Sequence, residues 1–222
     1  MNSPLTPTTP ARLGVLLSGR GSNFVALAEA LARGAAPAEV VVVASNVAEA
    51  PGIARARDLG IPTAILPHGD FPSRAAHETA LARVLRDASV EWICLAGYMR
   101  VLGPELVAAW PQRILNIHPS LLPAFPGLHA QRQALAAGVR VSGCTVHLVD
   151  AGLDSGPIVV QRAVPVEDGD DESALAARIL VEEHLAYPEA LRRLLTERWE
   201  VDGKRLCFRA SKRSAPPDEK TL

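Results

Sequence analysis

The sequence predicts an α/β domain built on an open, doubly wound, mostly parallel sheet. Two features of residues 12–118 predict this fold class. Short aliphatic or β-branched runs alternate with amphipathic stretches rich in Ala, Leu and Arg, and this βαβαβ rhythm is typical of parallel sheets with helices on both faces. The run at 39–44 is also apolar throughout its centre, as expected for a strand whose two faces are both covered.

Each element of the first half follows from its local pattern. Strands are predicted at 12–17, 39–44, 63–66, 92–96 and 113–118. Helices are predicted at 23–33, where apolar residues recur with helical spacing, at 52–59, at 73–87 with Ser73 as the N-cap, and from Pro104.

The second half begins with a loop that we expect to be rigid. Residues 119–127 contain three prolines and a glycine, which cannot form regular ladder hydrogen bonds. We then expect a helix at 131–137, paired strands at 141–149 and 158–164, a long helix at 173–196, and a closing strand pair or edge at 201–208. The Tyr187-Pro188 step predicts a kink in the long helix or its division in two.

The composition is that of an ordinary globular domain. The chain has 222 residues, of which 48% are hydrophobic and 21% charged, enough for a sizeable core. Neither an internal repeat nor a linker is evident. We expect one domain at 12–208, between flexible segments at 1–11 and 209–222.

Charge and hydropathy favour a small-molecule partner. The net charge of −1 creates no overall field that would favour nucleic acid or an anionic membrane. Residues 1–11 lack the apolar core of a signal peptide, and the longest strongly apolar runs have five residues, against the roughly 20 that span a bilayer. We therefore expect a cytoplasmic protein, and either a monomer or a homodimer remains open.

Neither a metal site nor a disulfide framework is expected. The three cysteines, Cys94, Cys144 and Cys207, lie far apart and without CxxC spacing, which favours a reducing compartment. The first two fall in predicted strands and should be buried packing residues, while Cys207 is expected to be exposed. Three histidines are expected at the surface: His68, His77 and His129.

The first candidate site is the loop at 18–23, between the first strand and the first helix. Gly19 and Gly21 allow a sharp turn, and the amides of Gly21, Ser22 and Asn23 lie at the positive end of a helix dipole. This arrangement suits a phosphate, although the sequence is neither a Walker A loop nor GxGxxG. An ordinary tight turn capped by Ser22 or Asn23 explains the loop equally well.

The second candidate site is the end of the fifth strand. Asn116 and His118 are two residues apart and therefore project from the same face. An amide and an imidazole can both donate hydrogen bonds to the oxygen of a carbonyl under attack, and the proline-rich loop would hold them rigidly. The alternative is a histidine that only ties down the loop.

The third candidate site is the turn at 150–157, which is rich in Asp and Gly. Such residues occur in any hairpin loop, so the turn becomes informative only if it folds over the end of the fifth strand. There Asp154 could orient the imidazole and favour its charged form. Further polar candidates, each alone better explained as solvated or structural, are His147, Glu183, Arg74 and Arg100.

Several motifs together resemble one enzyme family. They are SGRGSN at 18–23, SN at 45–46, LAGYMRVL at 95–102, NIHPSLLPAFPGLHAQRQAL at 116–135, GCTVHLVDAGLDSGPIVVQ at 143–161 and EEHLAYP at 182–188. NIHPSLLP and LDSGP are typical of folate-dependent formyltransferases, and SGRGSN narrows the resemblance to the phosphoribosylglycinamide formyltransferases. The resemblance covers residues 12–200 and implies a Rossmann-like formyltransferase fold.

The resemblance implies a reaction and a role for each matched residue. Such an enzyme transfers the formyl group of 10-formyltetrahydrofolate, its co-substrate, to the amine of glycinamide ribonucleotide in purine biosynthesis, without a metal. Asn116, His118 and Asp154 match the catalytic trio. Gly21, Ser22 and Asn23 match the loop that holds the substrate phosphate, and Glu183 matches a residue that contacts the glycinamide. Folate-site positions are matched by Arg74, Met99, Arg100, Val101, Leu102 and Asn116, together with the loop at 149–154. Arg20 and Thr145 depart from the usual Asn and Ser.

Other activities are compatible with parts of the pattern. A formyltetrahydrofolate hydrolase would be expected to carry an additional N-terminal domain, and a methionyl-tRNA formyltransferase a C-terminal RNA-binding domain. We expect neither, because few residues lie outside 12–200. A sugar-nucleotide formyltransferase fits the phosphate loop less well. A non-catalytic phosphate-binding module would leave Asn116, His118 and Asp154 without a role.

Overall fold

Nine strands form one sheet with helices on both faces over residues 9–209, the part of the chain that this computed structural model describes. The strands are β1 (Ala11–Leu17), β2 (Ala38–Ser45), β3 (Thr63–Ile65), β4 (Trp92–Leu95), β5 (Ile114–His118), β6 (Val141–Leu148), β7 (Ile158–Pro165), β8 (Arg198–Asp202) and β9 (Arg205–Arg209). The helices are α1 (Ser22–Ala32), α2 (Pro51–Asp58), α3 (Arg74–Asp87), α4 (Pro104–Ala109), α5 (Ala130–Ala136) and α6 (Glu172–Thr196).

The strand order is β3-β2-β1-β4-β5-β6-β7-β9-β8. Strands β1 to β5 run parallel, whereas β6 pairs antiparallel with both β5 and β7. From β1 the chain builds outward through β2 and β3, then returns to add β4 on the other side. The direction of winding therefore reverses between β1 and β4, which is where α/β sheets of this kind bind ligands. The predicted fold class is confirmed.

Alternating side chains of β1 supply the two halves of the core. Leu13, Val15 and Leu17 pack with α1, α2 and α6 on one face, while Leu16 packs with α3 and α4 on the other. Gly14 also faces α3, and a Cβ atom there would lie 2.7 Å from Leu85 Cδ2. A glycine at this position therefore lets α3 approach the sheet closely, as expected for a strand covered on both faces.

The long C-terminal helix excludes one of the two alternatives that the sequence predicts for it. Helix α6 is unbroken over 25 residues, with Pro188 inside it, so the predicted division at Tyr187-Pro188 is wrong. An interior proline costs a helix about 3 kcal/mol. Here Tyr187, Pro188, Ala190 and Leu191 are all buried against the sheet, and this packing offsets the lost backbone hydrogen bond.

Smaller differences concern the ends of the domain and one histidine. Ala11 and Arg209, which the sequence assigns to the flexible ends, are the first and last strand residues. Of those ends, residues 1–8 and 210–222 lie outside the described residues. His77 is 1% exposed rather than at the surface. It lies on the buried face of α3, where its Nε2 donates to the carbonyl oxygen of Leu66 (3.0 Å). Successive residues of an amphipathic helix point to different faces, so a polar side chain can fall on the buried face. It is tolerated there when it finds a hydrogen-bond partner, as His77 does in the Leu66 carbonyl.

No helix within 9–209 is long and apolar enough to cross a membrane. In the same part of the chain, no group of three or more His, Cys, Asp or Glu side chains is arranged to hold a metal ion.

Candidate active site

The loops that follow β1 and β4 meet at the reversal point of the sheet. The amide of Ser18 donates to the carbonyl oxygen of Gly97 (3.0 Å), and the amide of Met99 donates to Ser18 Oγ (2.8 Å). Ser18 Oγ in turn donates to Oδ1 of the buried Asn46 after β2 (2.6 Å). The predicted phosphate loop and the predicted folate loop are therefore joined by direct hydrogen bonds.

The first turn of α1 presents backbone amides without a side-chain cap. Gly21 is the N-cap residue, with φ of 71°, and no side chain caps the helix. The alternative of a turn capped by Ser22 or Asn23 is therefore not observed. A Cβ atom on Gly21 would lie 3.0 Å from Gly52 Cα at the start of α2, so both the backbone conformation and the close packing require glycine. Free amides at a helix N-terminus bind anions well.

Asn23 turns towards α6 and contacts Glu183. Its Nδ2 donates to Glu183 Oε2 (2.7 Å), and Glu183 is 7% exposed. Burial raises the pKa of this carboxyl, which the hydrogen bond from Asn23 partly opposes. The structure therefore brings the predicted glycinamide contact, Glu183, beside the predicted phosphate loop.

Asn116 and His118 lie at the carboxyl end of β5, and two residues of β6 project from the same face of the sheet beside them. In the antiparallel register Asn116 lies opposite His147, and His118 lies opposite Thr145. Directly opposed residues of an antiparallel pair project from the same face. Asn116 Nδ2 accordingly lies 3.1 Å from His147 Nε2.

The carboxylate of Asp154 lies between these side chains. Its Oδ2 lies 3.4 Å from His118 Nδ1 and accepts from the amide of Gly127 (2.8 Å). Its Oδ1 lies 3.4 Å from Asn116 Nδ2 and 3.7 Å from His147 Nε2. Asp154 has a φ of 49°, a left-handed conformation that aspartate tolerates better than most residues. The turn at 150–157 thus folds over the end of β5, as its predicted role requires.

Both ring nitrogens of His118 face oxygen atoms. Nε2 donates to the carbonyl oxygen of Phe125 (2.9 Å), and Nδ1 faces Asp154 Oδ2. A neutral ring would turn a lone pair towards one of these acceptors, whereas the imidazolium donates to both. Each nitrogen of the 5% exposed ring therefore faces a hydrogen-bond acceptor.

The proline-rich loop is fastened to β6 and β7 through Thr145. The Thr145 hydroxyl donates to the carbonyl oxygen of Ser120 (2.7 Å) and accepts from the amide of Leu122 (3.0 Å) and from Gln161 Nε2 (3.0 Å). Gln161 Nε2 also donates to the carbonyl oxygen of Leu122 (2.8 Å). Because the loop carries the Phe125 carbonyl that binds His118, these contacts help fix the imidazole.

Four of the predicted folate residues belong to the loop after β4, and a fifth, Arg74, contacts this loop from α3. The side chains of Met99 and Val101 are 69% and 56% exposed, an apolar surface that an aromatic ring could cover. Arg74 donates to the carbonyl oxygen of Val101 and to Glu78 Oε1, while Arg100 is half-buried. Leu102 differs, because it is buried in the core beneath this loop and can line the site only from below.

Among the side chains of this cluster, His147 is the hardest to identify from the sequence around it. The sequence offers it only as a further polar candidate. The signal that finds it is the register of β5 against β6, which cannot be fixed until the loop between them is placed. The backbone groups of Phe125 and Gly127 carry no side-chain signal at all. His147 nevertheless contacts Asn116 directly. The Phe125 carbonyl contacts His118, and the Gly127 amide contacts Asp154.

Two of the cysteines are excluded as nucleophiles by their surroundings. Cys94 and Cys144 are buried, as predicted, and burial raises the pKa of both thiols to about 12. The reactive thiolate is therefore suppressed in both. Cys207 is half-buried rather than fully exposed.

An amide donor and an imidazole that share one carboxylate suit the transfer of an acyl-type group, in which negative charge develops on a carbonyl oxygen. The class defined by the sheet and this cluster is therefore an α/β group-transfer enzyme. The sequence profile of the formyl transferase family matches residues 11–191. The chain belongs to this family, and its full-length relatives place it among the phosphoribosylglycinamide formyltransferases, as the sequence predicts.

The relatives agree with one another. A phosphoribosylglycinamide formyltransferase of Mycobacterium tuberculosis is 44% identical over 206 residues, covering 92% of this chain and 95% of its own length. A crystal structure of glycinamide ribonucleotide transformylase 1 from Symbiobacterium toebii has a TM-score of 0.88 and 50% identity, covering 90% of this chain and 94% of that one. The trifunctional purine biosynthetic protein adenosine-3 of Drosophila pseudoobscura is 53% identical over 182 residues. That match covers 81% of this chain but only 13% of the Drosophila protein.

Proposed function

We propose that this chain transfers the formyl group of 10-formyltetrahydrofolate to the amine of N1-(5-phospho-D-ribosyl)glycinamide in de novo purine (IMP) biosynthesis, in the cytoplasm. The observation that carries the proposal is the position of Asp154. Its carboxylate contacts both His118 and Asn116. These groups lie at the carboxyl ends of the parallel strands, as do the uncapped amides of α1. One site could therefore bind the phosphate of one substrate and the formyl carbonyl of the other.

The substrate-binding roles follow from the chemistry of each group. The amides of Gly21, Ser22 and Asn23 bind the phosphate, so affinity for the anion comes from one helix N-terminus rather than from a basic surface. Glu183, held by Asn23, contacts the glycinamide. The folate covers the apolar surface of Met99 and Val101, with Arg74 and Arg100 beside it and Leu102 beneath.

The reaction proceeds by direct attack. The uncharged glycinamide amine forms a bond to the formyl carbon on N10, and the carbonyl electrons move onto the oxygen. Asn116 Nδ2 and protonated His118 donate hydrogen bonds to that developing oxyanion. The long 3.4 Å contact between His118 Nδ1 and Asp154 Oδ2 is the one that can be shared with substrate, because catalytic hydrogen bonds tighten when the complex forms.

Collapse of the tetrahedral intermediate completes the transfer. The bond between the formyl carbon and N10 breaks, the amine nitrogen loses one proton and N10 gains one. His118, or a water molecule positioned by Asp154, relays this proton, and tetrahydrofolate leaves. Asp154 holds the imidazole in its orientation during this transfer, since its carboxylate is 11% exposed and close to the ring.

The test is a formyl-transfer assay with and without the glycinamide substrate. Formation of tetrahydrofolate from 10-formyltetrahydrofolate, followed by absorbance, should require glycinamide ribonucleotide. Release of formate at the same rate without it would identify a hydrolase, and phosphate-ligand binding without turnover would identify a binding module.

His118→Ala should lower kcat by about 10²–10³, the usual loss for one oxyanion donor.

A further inference from the structure

His147 is buried beside Asn116, but it takes no part in the steps of the proposed reaction. It lies on β6 directly opposite Asn116, and its side chain is 3% exposed. A ring that is almost completely enclosed is poorly placed to exchange protons with substrate or solvent. Its effect on the reaction must therefore pass through the groups that it touches.

The hydrogen bonds of His147 determine which of its nitrogens carries the proton. Nδ1 lies 3.0 Å from the carbonyl oxygen of Leu148, which can only accept, so Nδ1 bears the hydrogen. Burial lowers the pKa of the ring, which keeps it neutral. Nε2 therefore carries a lone pair, and Asn116 Nδ2 lies 3.1 Å from it.

The same network determines the orientation of the Asn116 amide. The end of the amide that faces His147 also faces Asp154 Oδ1, at 3.4 Å. Both neighbours are acceptors, so this end must be the NH2 group rather than the carbonyl. One hydrogen belongs to the short contact with His147, and the other, beside the longer contact with Asp154, remains available to a substrate oxygen.

We propose, on the basis of the proposed function, that His147 is a positioning residue whose Nε2 lone pair holds the Asn116 amide with Nδ2 towards the reacting formyl oxygen. Rotation of the amide by half a turn would present its carbonyl oxygen to the developing oxyanion, and the two would repel. The interaction with His147 opposes that rotation, because it would place Asn116 Oδ1 against the Nε2 lone pair. His147 thus acts on the rate through Asn116, its nearer neighbour, since Asp154 Oδ1 lies farther from Nε2, at 3.7 Å.

The decisive experiment is a set of substitutions at His147 in two backgrounds. His147→Leu removes the acceptor and should lower kcat about 10–100-fold, part of the loss expected for an oxyanion donor, with both KM values nearly unchanged. His147→Gln can return an oxygen acceptor to Asn116 and should recover most of the rate. In an Asn116→Ala background, His147→Leu should cause no further loss, because coupled residues are not additive.

His77→Leu provides a matched control. It also removes a buried histidine that bonds to a backbone carbonyl, Leu66, but on α3. We expect this variant to lose stability while retaining kcat. Thermal unfolding of each variant separates a loss of fold from a loss of rate, and His147→Gln keeps the test usable if His147→Leu does not fold.

A spectroscopic measurement tests the same proposal without activity. The ¹⁵N resonances of His147, assigned by comparison with His147→Gln, should show a protonated Nδ1 and an unprotonated Nε2. A protonated Nε2, equal rate losses in both backgrounds, or wild-type kcat in His147→Leu would each overturn the proposal. If the wild type itself transfers no formyl group, the proposed function fails instead, while the ¹⁵N result still decides the tautomer.

Discussion

Replacing Asp154 by Asn removes the negative charge beside the His118 ring and places an NH2 group where Oδ1 now faces Asn116 Nδ2 at 3.4 Å. The side chains are nearly isosteric, and asparagine also tolerates the φ of 49° found here. The amide oxygen can still accept from the amide of Gly127, which now donates to Oδ2 at 2.8 Å. The variant should therefore fold with the turn at 150–157 in place.

The cost can be worked from the distance between the two charges. Asp154 Oδ2 and His118 Nδ1 are 3.4 Å apart, which corresponds to about 5 kcal/mol at an effective dielectric constant of about 20. The remaining amide dipole recovers part of this energy, which leaves about 3–4 kcal/mol. Since about 1.4 kcal/mol corresponds to a factor of ten in rate, we expect kcat to fall about 10²–10³-fold.

Formation of tetrahydrofolate at saturating concentrations of both substrates measures this kcat. The control is Asp87→Asn, an exposed carboxylate near the end of α3, which should leave kcat unchanged. A kcat for Asp154→Asn within a few-fold of the wild type, in a protein that unfolds at a normal temperature, would refute the charged-imidazole argument.

Three other substitutions test the surrounding structure. Glu183→Gln keeps the acceptor for Asn23 but removes a carboxyl whose pKa burial raises. A raised pKa lowers the stability of the wild type as the pH rises from the usual pKa of 4.5 to the raised value. The thermal midpoint of Glu183→Gln should therefore exceed that of the wild type in alkaline buffer, with no gain below pH 4.5, while KM for the glycinamide substrate increases. Gly21→Ala, at a φ of 71° and against Gly52, should lower the unfolding free energy by about 1–3 kcal/mol and weaken phosphate binding. Tyr187→Phe removes a buried hydroxyl that contacts two strand carbonyls and should cost about 1–2 kcal/mol in urea denaturation.

Each of these expectations has a contrary outcome. A thermal midpoint for Glu183→Gln that is lowered equally at every pH would mean that the carboxylate is not destabilising. An unchanged KM and unfolding free energy for Gly21→Ala would remove the argument from its left-handed conformation. An unchanged urea midpoint for Tyr187→Phe would mean that its hydroxyl finds no better partners in the folded state than in water.

The sequence predicts the frame of the site better than its supporting contacts. Asn116 and His118 can be placed on one face because the side-chain period of a strand is fixed, and Gly21 can be placed at a helix start because local glycine patterns determine turns. Contacts that depend on register or backbone groups do not follow from such patterns. The opposition of His147 to Asn116 and the bond from His118 to the Phe125 carbonyl required the structure.

The continuity of α6 shows a second limit of local reasoning. A proline inside a helical pattern predicts a break because its ring and missing N–H disfavour the helix. Burial of Tyr187 and Pro188 against the sheet reverses that local preference. His77 shows the same effect, since its position on the inner face of α3 depends on the Leu66 carbonyl in a neighbouring loop.

Direct transfer is tested most directly by the fate of a labelled formyl group. Wild-type protein is given 10-[¹³C]formyltetrahydrofolate, glycinamide ribonucleotide and an excess of unlabelled formate, and the products are analysed by mass spectrometry. The account predicts one ¹³C-formyl group in each formylated glycinamide, undiluted by the free formate, and one tetrahydrofolate for each. Label recovered as formate, or formylated product that carries unlabelled carbon, would contradict it.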